Sequence, residues 1–331
     1  MTPAEFFADH TFRMVFLGTS VIGLVAGALG AFAYLRKQSL ISDVISHAAL
    51  PGTLGAFLLA VVVLGVDGRS MLGLIAGAVV AGVAAVLFAN GIARTSVVRI
   101  DAAMAISLTT FFGLGMLLMR VVANGSFPGK GGIQDYLFGN ASTITIPDLV
   151  TSVAVGGAAL VVTIVFWKEF ALRTFDPDQA DVLGFRGRTI DLLMFTTVVV
   201  ATVIGVKAVG LVLMVAFVVT PPAAARQWTT TLRGTVILSG AIGAVGSGLG
   251  AYLSIALGRV PTGPLIVLAL FGVLVVSLLA SPRRSIVVRA VARARGRRAL
   301  RRELAAEELA SRPNGRGAAT ASATPGGGEA R

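Results

Sequence analysis

The sequence contains no cysteine and only two histidines, His10 and His47. The absence of cysteine excludes disulfides, thiolate metal sites and cysteine nucleophiles. Any imidazole chemistry must therefore involve His10 or His47. His10 lies near the start of the chain, whereas His47 lies inside a long apolar stretch.

Charged residues are also scarce, at 13% of the chain, where soluble domains carry about 25%. Hydrophobic residues make up 55%, and the mean hydropathy is +0.86. About 20 consecutive apolar residues span a bilayer core. The sequence therefore predicts an all-α, polytopic transmembrane helix bundle, with apolar segments at 14–35, 40–66, 71–88, 102–122, 149–167, 190–220, 236–257 and 265–280.

The segment 190–220, about 31 residues long, exceeds what one simple span needs. It is interrupted by Lys207 and Gly210. We expect it to form two spans, or one span plus a broken half-helix. The bundle then has eight or nine spans.

Positive charge is concentrated in alternate loops and in the last part of the chain. The formal net charge is +12, and from residue 283 onward twelve arginines and four glutamates give a net +8. The positive-inside rule then places the N-terminus outside and the C-terminus in the cytoplasm.

We predict an extracytoplasmic segment (1–13), a transmembrane domain (14–282) and a basic, largely disordered cytoplasmic tail (283–331). The high pI reflects that tail rather than a nucleic-acid partner.

Asp43 and His47 stand out in the stretch SLISDVISHAALPG, residues 39–52. Residues four apart share one helix face, so the pair presents oxygen and nitrogen together. Counted from Lys37 at 1.5 Å per residue, His47 lies roughly 15 Å deep, where ionisable groups are costly and usually face a pathway. Pro51 and Gly52 predict a helix break nearby. The alternative is that Asp43 is only a helix N-cap.

Carboxylate and imidazole ligands without sulfur suit divalent ions such as Zn²⁺ or Mn²⁺. One chain offers only two such ligands in this segment. Two copies related by a twofold axis would supply two aspartates and two histidines, completing a four-ligand site.

The segment SLISDVISHAALPG resembles the corresponding block of the ABC-3 family, the permease subunits of bacterial manganese/zinc ABC importers. Further blocks resemble that family in the same order: VVRIDAAMAISLTTFFGLGMLL, IQDYLFGNASTITIPDL, FDPDQADVLGF, VKAVGLVLMVAFVVTPPAAAR and PTGPLIVL. The likeness covers about residues 14–280.

This resemblance implies a type II importer-like permease of the bacterial cytoplasmic membrane, with Asp43 and His47 on the metal pathway. It also implies partners: two ABC ATPase subunits inside, an extracytoplasmic metal-binding protein outside, and a second permease in a homodimer or paralogous heterodimer. The chain has no phosphate-binding G-x-x-x-x-G-K-[ST] loop, so ATP hydrolysis is expected in a partner and this chain is not expected to be an enzyme. No permanently bound cofactor is expected, and the cargo is Mn²⁺ or Zn²⁺.

A short helix is predicted in the loop TFDPDQADVLGFR. Asp176 suits the N-cap, Pro177 the first helical position and Asp178 the positive end of the helix dipole, while Gly184 suits the stop. We expect a helix over 177–183 whose apolar side chains dock in a partner's groove. The resemblance implies that it is the coupling helix contacting the ATPase, with the residues Asp176, Pro177, Asp178, Ala180, Leu183 and Gly184 in that contact.

Three other functions fit parts of the pattern. An ion-coupled secondary metal carrier could use Asp43 and His47 as a proton relay. A membrane enzyme would need more converging catalytic groups than these spans offer. A siderophore- or cobalamin-type ABC permease carries bulky ligands that do not require an ionisable pair within the membrane.

Overall fold

The structure, a computed structural model, describes residues 9–38, 40–66, 68, 70–128, 144–258 and 260–281, together with Arg297 and Leu304. Apart from those two residues, the predicted tail 283–331 lies outside the described residues. Residues 1–8 of the predicted N-terminal segment and the YLFGN block also lie outside them. The helices below belong to one compact unit that ends at Ser281.

The described chain is helical and contains no β-strand, as predicted. The helices are α1 (His10–Leu35), α2 (Ile41–Leu58, followed by a π-helical turn Leu59–Val63), α3 (Met71–Thr95), α4 (Ile100–Asn124), α5 (Ile146–Val165), α6 (Trp167–Phe175), α7 (Pro177–Val182), α8 (Gly187–Val209), α9 (Leu211–Trp228), α10 (Leu232–Leu257) and α11 (Thr262–Ala280). In this part of the chain, eight helices are long and apolar enough to cross a membrane, namely α1, α2 with its π-helical turn, α3, α4, α5, α8, α10 and α11.

The long segment 190–220 is divided between two helices, α8 and α9, of which α8 is one of the eight candidate spans. They are separated at Gly210, whose φ of +83° lies in the left-handed region that favours glycine. Helix α9 has 18 residues, about 27 Å at 1.5 Å per residue. It packs against α1, α10 and α11, so it belongs to the core of the bundle.

One end of the bundle collects the arginines of several helices, and we call it the basic end. Arg36, Arg94, Arg173 and Arg188 line one cavity there. Helix α1 ends at this side and α8 begins there. Helices α9 and α11 also end together, since the Ser281 hydroxyl donates to the Gln227 carbonyl at 2.6 Å.

Helices α1 and α10 form the tightest packing in the bundle, and they run antiparallel. Gly23 lies against the backbone of Gly243, and the Ser239 hydroxyl donates to the Gly27 carbonyl at 2.5 Å. Small residues at these contacts let the two backbones approach closely. Helix α10 starts at the basic end and runs back along α1. Helix α11 then returns and ends beside the end of α9. Helix α1 therefore starts, and α11 ends, at opposite ends of the bundle.

Candidate metal pathway and partner surface

Asp43 and His47 lie in the first two turns of α2, nearer the basic end than predicted. The helix begins at Ile41, because the chain turns tightly at Lys37, whose φ is +58°. Ile41 to His47 are therefore seven helical residues, whose six steps of 1.5 Å rise about 9 Å. The prediction counted ten helical residues from Lys37 to His47, and that count is wrong because it includes the turn before Ile41.

The two side chains meet, as their spacing predicts. His47 Nδ1 lies 3.2 Å from Asp43 Oδ1 and 3.0 Å from the Asp43 carbonyl oxygen. When Nδ1 carries the hydrogen it donates to these oxygens, and the lone pair of Nε2 is then free for a metal. The N-cap position of α2 is Leu40, so the alternative that Asp43 is merely the N-cap is wrong.

The pair is partly accessible. The side chains of His47 and Asp43 are 16% and 30% exposed, and the His47 ring meets the Phe112 ring of α4 edge-on at 5.1 Å between centroids. Among the described residues, no group of three or more histidine, cysteine or carboxylate side chains could hold a metal. Within that part of the chain, the pair has no third such ligand beside it, so the predicted four-ligand site would need a second copy.

Pro51 and Gly52 do not end α2, which continues to Leu58, so the predicted helix break is wrong. Proline lacks the amide hydrogen that would bond to the carbonyl of His47, four residues earlier. Gly52 has a packing role, since a methyl group there would collide with the Gly77 carbonyl of α3. The close approach of α2 and α3 therefore requires a residue without a side chain at position 52.

Helix α7 forms where the loop sequence predicted a helix. The Asp176 carboxylate accepts the Gln179 amide at 3.0 Å, and Pro177 is the first helical residue. The helix stops after Val182, one residue earlier than predicted, and Gly184 follows with a φ of +80°. Cap, first residue and stop residue therefore act as their chemistry predicts.

The surface of α7 is divided. Val182, Leu183 and Phe185 are 85%, 58% and 38% exposed, and Phe175 just before the helix is 59% exposed. Ala180 is only 1% exposed, so the prediction that it docks on a partner is wrong. Ala180 is the one buried residue of α7, so this side of the helix packs against the bundle.

Sequence reasoning missed the ion network that holds α7. Arg173 in α6 donates from Nη1 to Asp181 Oδ1 and to the Pro177 carbonyl, both at 3.0 Å. Its Nε and Nη2 reach Asp191 in α8 at 3.2 and 3.1 Å. Asp191 also accepts from Arg36 Nη1 at 2.6 Å, so one carboxylate joins α6 and α8 to the end of α1.

Arg173, the residue at the centre of the network, keeps its charge near neutral pH. The hydrogen bond to Asp191 raises the pKa of Arg173 above its usual value, and the charges of Asp191 and Asp181 act in the same direction, while burial opposes them. A raised pKa on a basic group means that its stabilisation is fully present below the pKa of the unfolded chain, which for arginine lies far above neutral pH. Deprotonation of Arg173 therefore contributes no pH dependence near neutrality.

With the helix order, the half-buried pair and the α7 surface in view, the comparisons with known proteins decide the family. The model of the ABC 3 transport family matches residues 8–281. The chain belongs to the ABC 3 transport family. The resemblance expected from the sequence blocks is thereby confirmed, and the match ends where the compact unit ends.

Relatives and a solved structure agree. The chain is 37% identical over 281 residues to the zinc transport system membrane protein TroC of Treponema pallidum, covering 85% of this chain and 92% of that one. It is 35% identical to the manganese transport system membrane protein MntC of Bacillus subtilis, covering 88% of this chain and 66% of that one. The fold matches PsaBC from Streptococcus pneumoniae with a TM-score of 0.74 and 29% identity, covering 86% of this chain and 98% of that one.

Proposed function

We propose that this chain is the membrane-spanning permease subunit of an ATP-driven importer of Mn²⁺ or Zn²⁺ in the bacterial cytoplasmic membrane. Its relatives are named for zinc and for manganese transport, so both cargoes stay open. ATP hydrolysis is assigned to separate ABC ATPase subunits. An extracytoplasmic binding protein is assigned the delivery of the metal to the permease. The basic end is assigned to the cytoplasm, because arginine-rich loops stay there.

The observation that carries the proposal is the Asp43–His47 pair, with Nδ1 and Oδ1 3.2 Å apart on one partly buried face of α2. A carboxylate oxygen and an imidazole nitrogen suit both proposed ions. Removal of either ligand should lower metal transport while leaving the bundle folded. An ionisable pair inside a span is otherwise costly.

The test is metal uptake into proteoliposomes that contain the chain, its ATPase subunits and its binding protein. Asp43→Asn and His47→Gln should each lower ATP-dependent Mn²⁺ or Zn²⁺ uptake at least tenfold. The first variant removes the negative charge of the carboxylate ligand, and the second removes the imidazole nitrogen ligand. Asp101→Asn and His10→Gln are matched controls, since they make the same chemical changes outside the pair. Uptake that persists in both pair variants would reject the assignment, and uptake driven by a proton gradient without ATPase would favour a secondary carrier.

The four-ligand site requires a second permease whose own pair meets the first. We assign this contact to the face of α2 and α4 that carries His47 and Phe112, because the ring of Phe112 is 38% exposed beside His47. The chain has no cysteine, so Phe112→Cys introduces a single thiol. A thiol cross-linker should then give a dimer, whereas Val161→Cys, on an exposed position of α5, should not. Equal cross-linking of the two variants would refute this interface.

The exposed apolar side chains around α7 are assigned to the ATPase contact. A short helix whose apolar side chains lie open to solvent fits a groove on a partner. Deletion of residues 176–185 should abolish co-purification of the ATPase subunits. A complex that survives this deletion would remove α7 from the contact.

A further inference from the structure

A cavity at the basic end carries an excess of positive charge that neither the metal pathway nor α7 uses. It has a volume of about 410 Å³ and lies among the end of α1, the end of α3, α6 and the start of α8. Its charged lining is four arginines and one aspartate, a net +3: Arg36, Arg94, Arg173, Arg188 and Asp191. A cation such as the transported metal would be repelled from this cavity.

The five charges are not equivalent. Arg36 and Arg173 share Asp191, at 2.6 and 3.1 Å, and are 15% and 11% exposed. Arg94 and Arg188 are exposed, and no salt bridge within the described part of the chain involves either of them. The cavity therefore has one side held by ion pairs to Asp191, and two further arginines that no salt bridge among the described residues compensates.

Part of the cavity lining is apolar. Val83 and Leu87 of α3 and Leu192 and Phe195 of α8 line it, and the side chains of Leu87 and Leu192 are 52% and 40% exposed. An arginine-lined mouth above an exposed apolar wall suits a ligand with an anionic head and a hydrocarbon tail. Gln38 also lines the cavity, and its buried side-chain oxygen has no hydrogen-bond partner among the described residues, so a hydroxyl group on the ligand would satisfy it.

We propose that this cavity binds a phosphate group, held by Arg94 and Arg188 and supported by Arg36 and Arg173. Guanidinium groups recognise phosphate oxygens in paired, charge-assisted hydrogen bonds. The apolar wall favours the headgroup of an anionic phospholipid as the source. Free phosphate carries the same group and is distinguished by experiment.

The experiment uses the full-length chain in detergent and measures its melting temperature and its ligand retention by native mass spectrometry. The probes are phosphatidylglycerol, phosphatidylcholine and inorganic phosphate at constant ionic strength. The test variant is Arg94→Gln/Arg188→Gln. The matched control is Arg99→Gln/Arg233→Gln, which removes two exposed arginines near the ends of α4 and α10 that do not line the cavity.

Phosphatidylglycerol should raise the melting temperature of the wild-type chain more than phosphatidylcholine does. Loss of two basic contacts, each worth about a factor of five, should weaken retention of phosphatidylglycerol about 25-fold in the test variant. The control variant should bind like wild type, and the melting temperature of all three proteins in phosphatidylcholine should agree, which shows that they are folded. Stabilisation by inorganic phosphate alone, lost in the test variant, would support the site with a soluble ligand.

Two results would overturn the proposal. One is that neither phosphatidylglycerol nor inorganic phosphate stabilises the wild-type chain. The other is that the test and control variants lose the same amount of binding, because surface charge alone would then account for it.

Discussion

Arg173 offers the sharpest test of how α7 is joined to the bundle. Its guanidinium makes four hydrogen bonds, two to Asp191, one to Asp181 and one to the Pro177 carbonyl. Arg173→Lys keeps the charge but places all donors on one nitrogen, which cannot reach both sides of the network. We expect the lysine to keep one contact with Asp191 and to release α7.

The magnitude follows from the exposure of the two sides. The Asp191 side is 12% exposed, and one charge-assisted hydrogen bond lost there costs about 1.5–3 kcal/mol. The Asp181 side is 58% exposed, so its ion pair contributes only about 0–1 kcal/mol. The lysine variant should therefore be less stable by about 2–3 kcal/mol, mostly through the buried contact.

Two assays separate stability from coupling. The first is the melting temperature of the purified chain, and the second is the amount of metal moved per ATP hydrolysed in proteoliposomes with the ATPase subunits. Arg173→Lys should lower both, whereas Arg233→Lys, at an exposed arginine at the start of α10, should change neither. Equal behaviour of the two variants in both assays would refute the reasoning that α7 acts through Arg173.

Three further changes test local features of the chain. Gly23→Ala should destabilise the bundle, because the new methyl group meets the Gly243 backbone, whereas Gly157→Ala, with open space around it, should be neutral or stabilising by about 0.5–1 kcal/mol; thermal unfolding in detergent distinguishes them. Leu183→Asp should abolish ATPase co-purification without a change in melting temperature, and a lower melting temperature would contradict its exposed position. Asp176→Ala should weaken α7 by about 1 kcal/mol, seen as faster hydrogen exchange at the Gln179 amide, and unchanged exchange would argue against the cap.

Features that depend on neighbouring residues could be predicted from the sequence. The apolar runs gave the spans, Gly210 divided the long one, and Asp176, Pro177 and Gly184 delimited α7. Each depends on hydrophobic length, backbone conformation or a cap within a few residues. The contact between Asp43 and His47 could also be predicted, because residues separated by four positions lie on the same face of a helix.

Contacts between distant parts of the chain could not be predicted in this way. Arg36 and Asp191 are 155 residues apart, and no local pattern relates them. The burial of Ala180 depends on how α7 lies against the bundle, which the sequence of α7 alone does not specify. The helical count up to His47 was misjudged for a related reason, because one positive φ at Lys37 turns the chain before α2 begins.

The network also offers a route by which a movement of α7 could reach the Asp43–His47 pair. Asp181 of α7 binds Arg173, Arg173 binds Asp191, and Asp191 binds Arg36, which lies five residues before the start of α2 at Ile41. The path consists of helix ends joined by charged hydrogen bonds, and the turn at Lys37 follows Arg36 before α2 begins. Position along a path is not itself proof of coupling, so the decisive quantity is the interaction energy between Asp181 and Arg36 variants in metal moved per ATP. Effects of Asp181→Asn and Arg36→Gln that are simply additive would mean that the two ends act independently, whereas a double variant no worse than the single ones would place them in one mechanical unit.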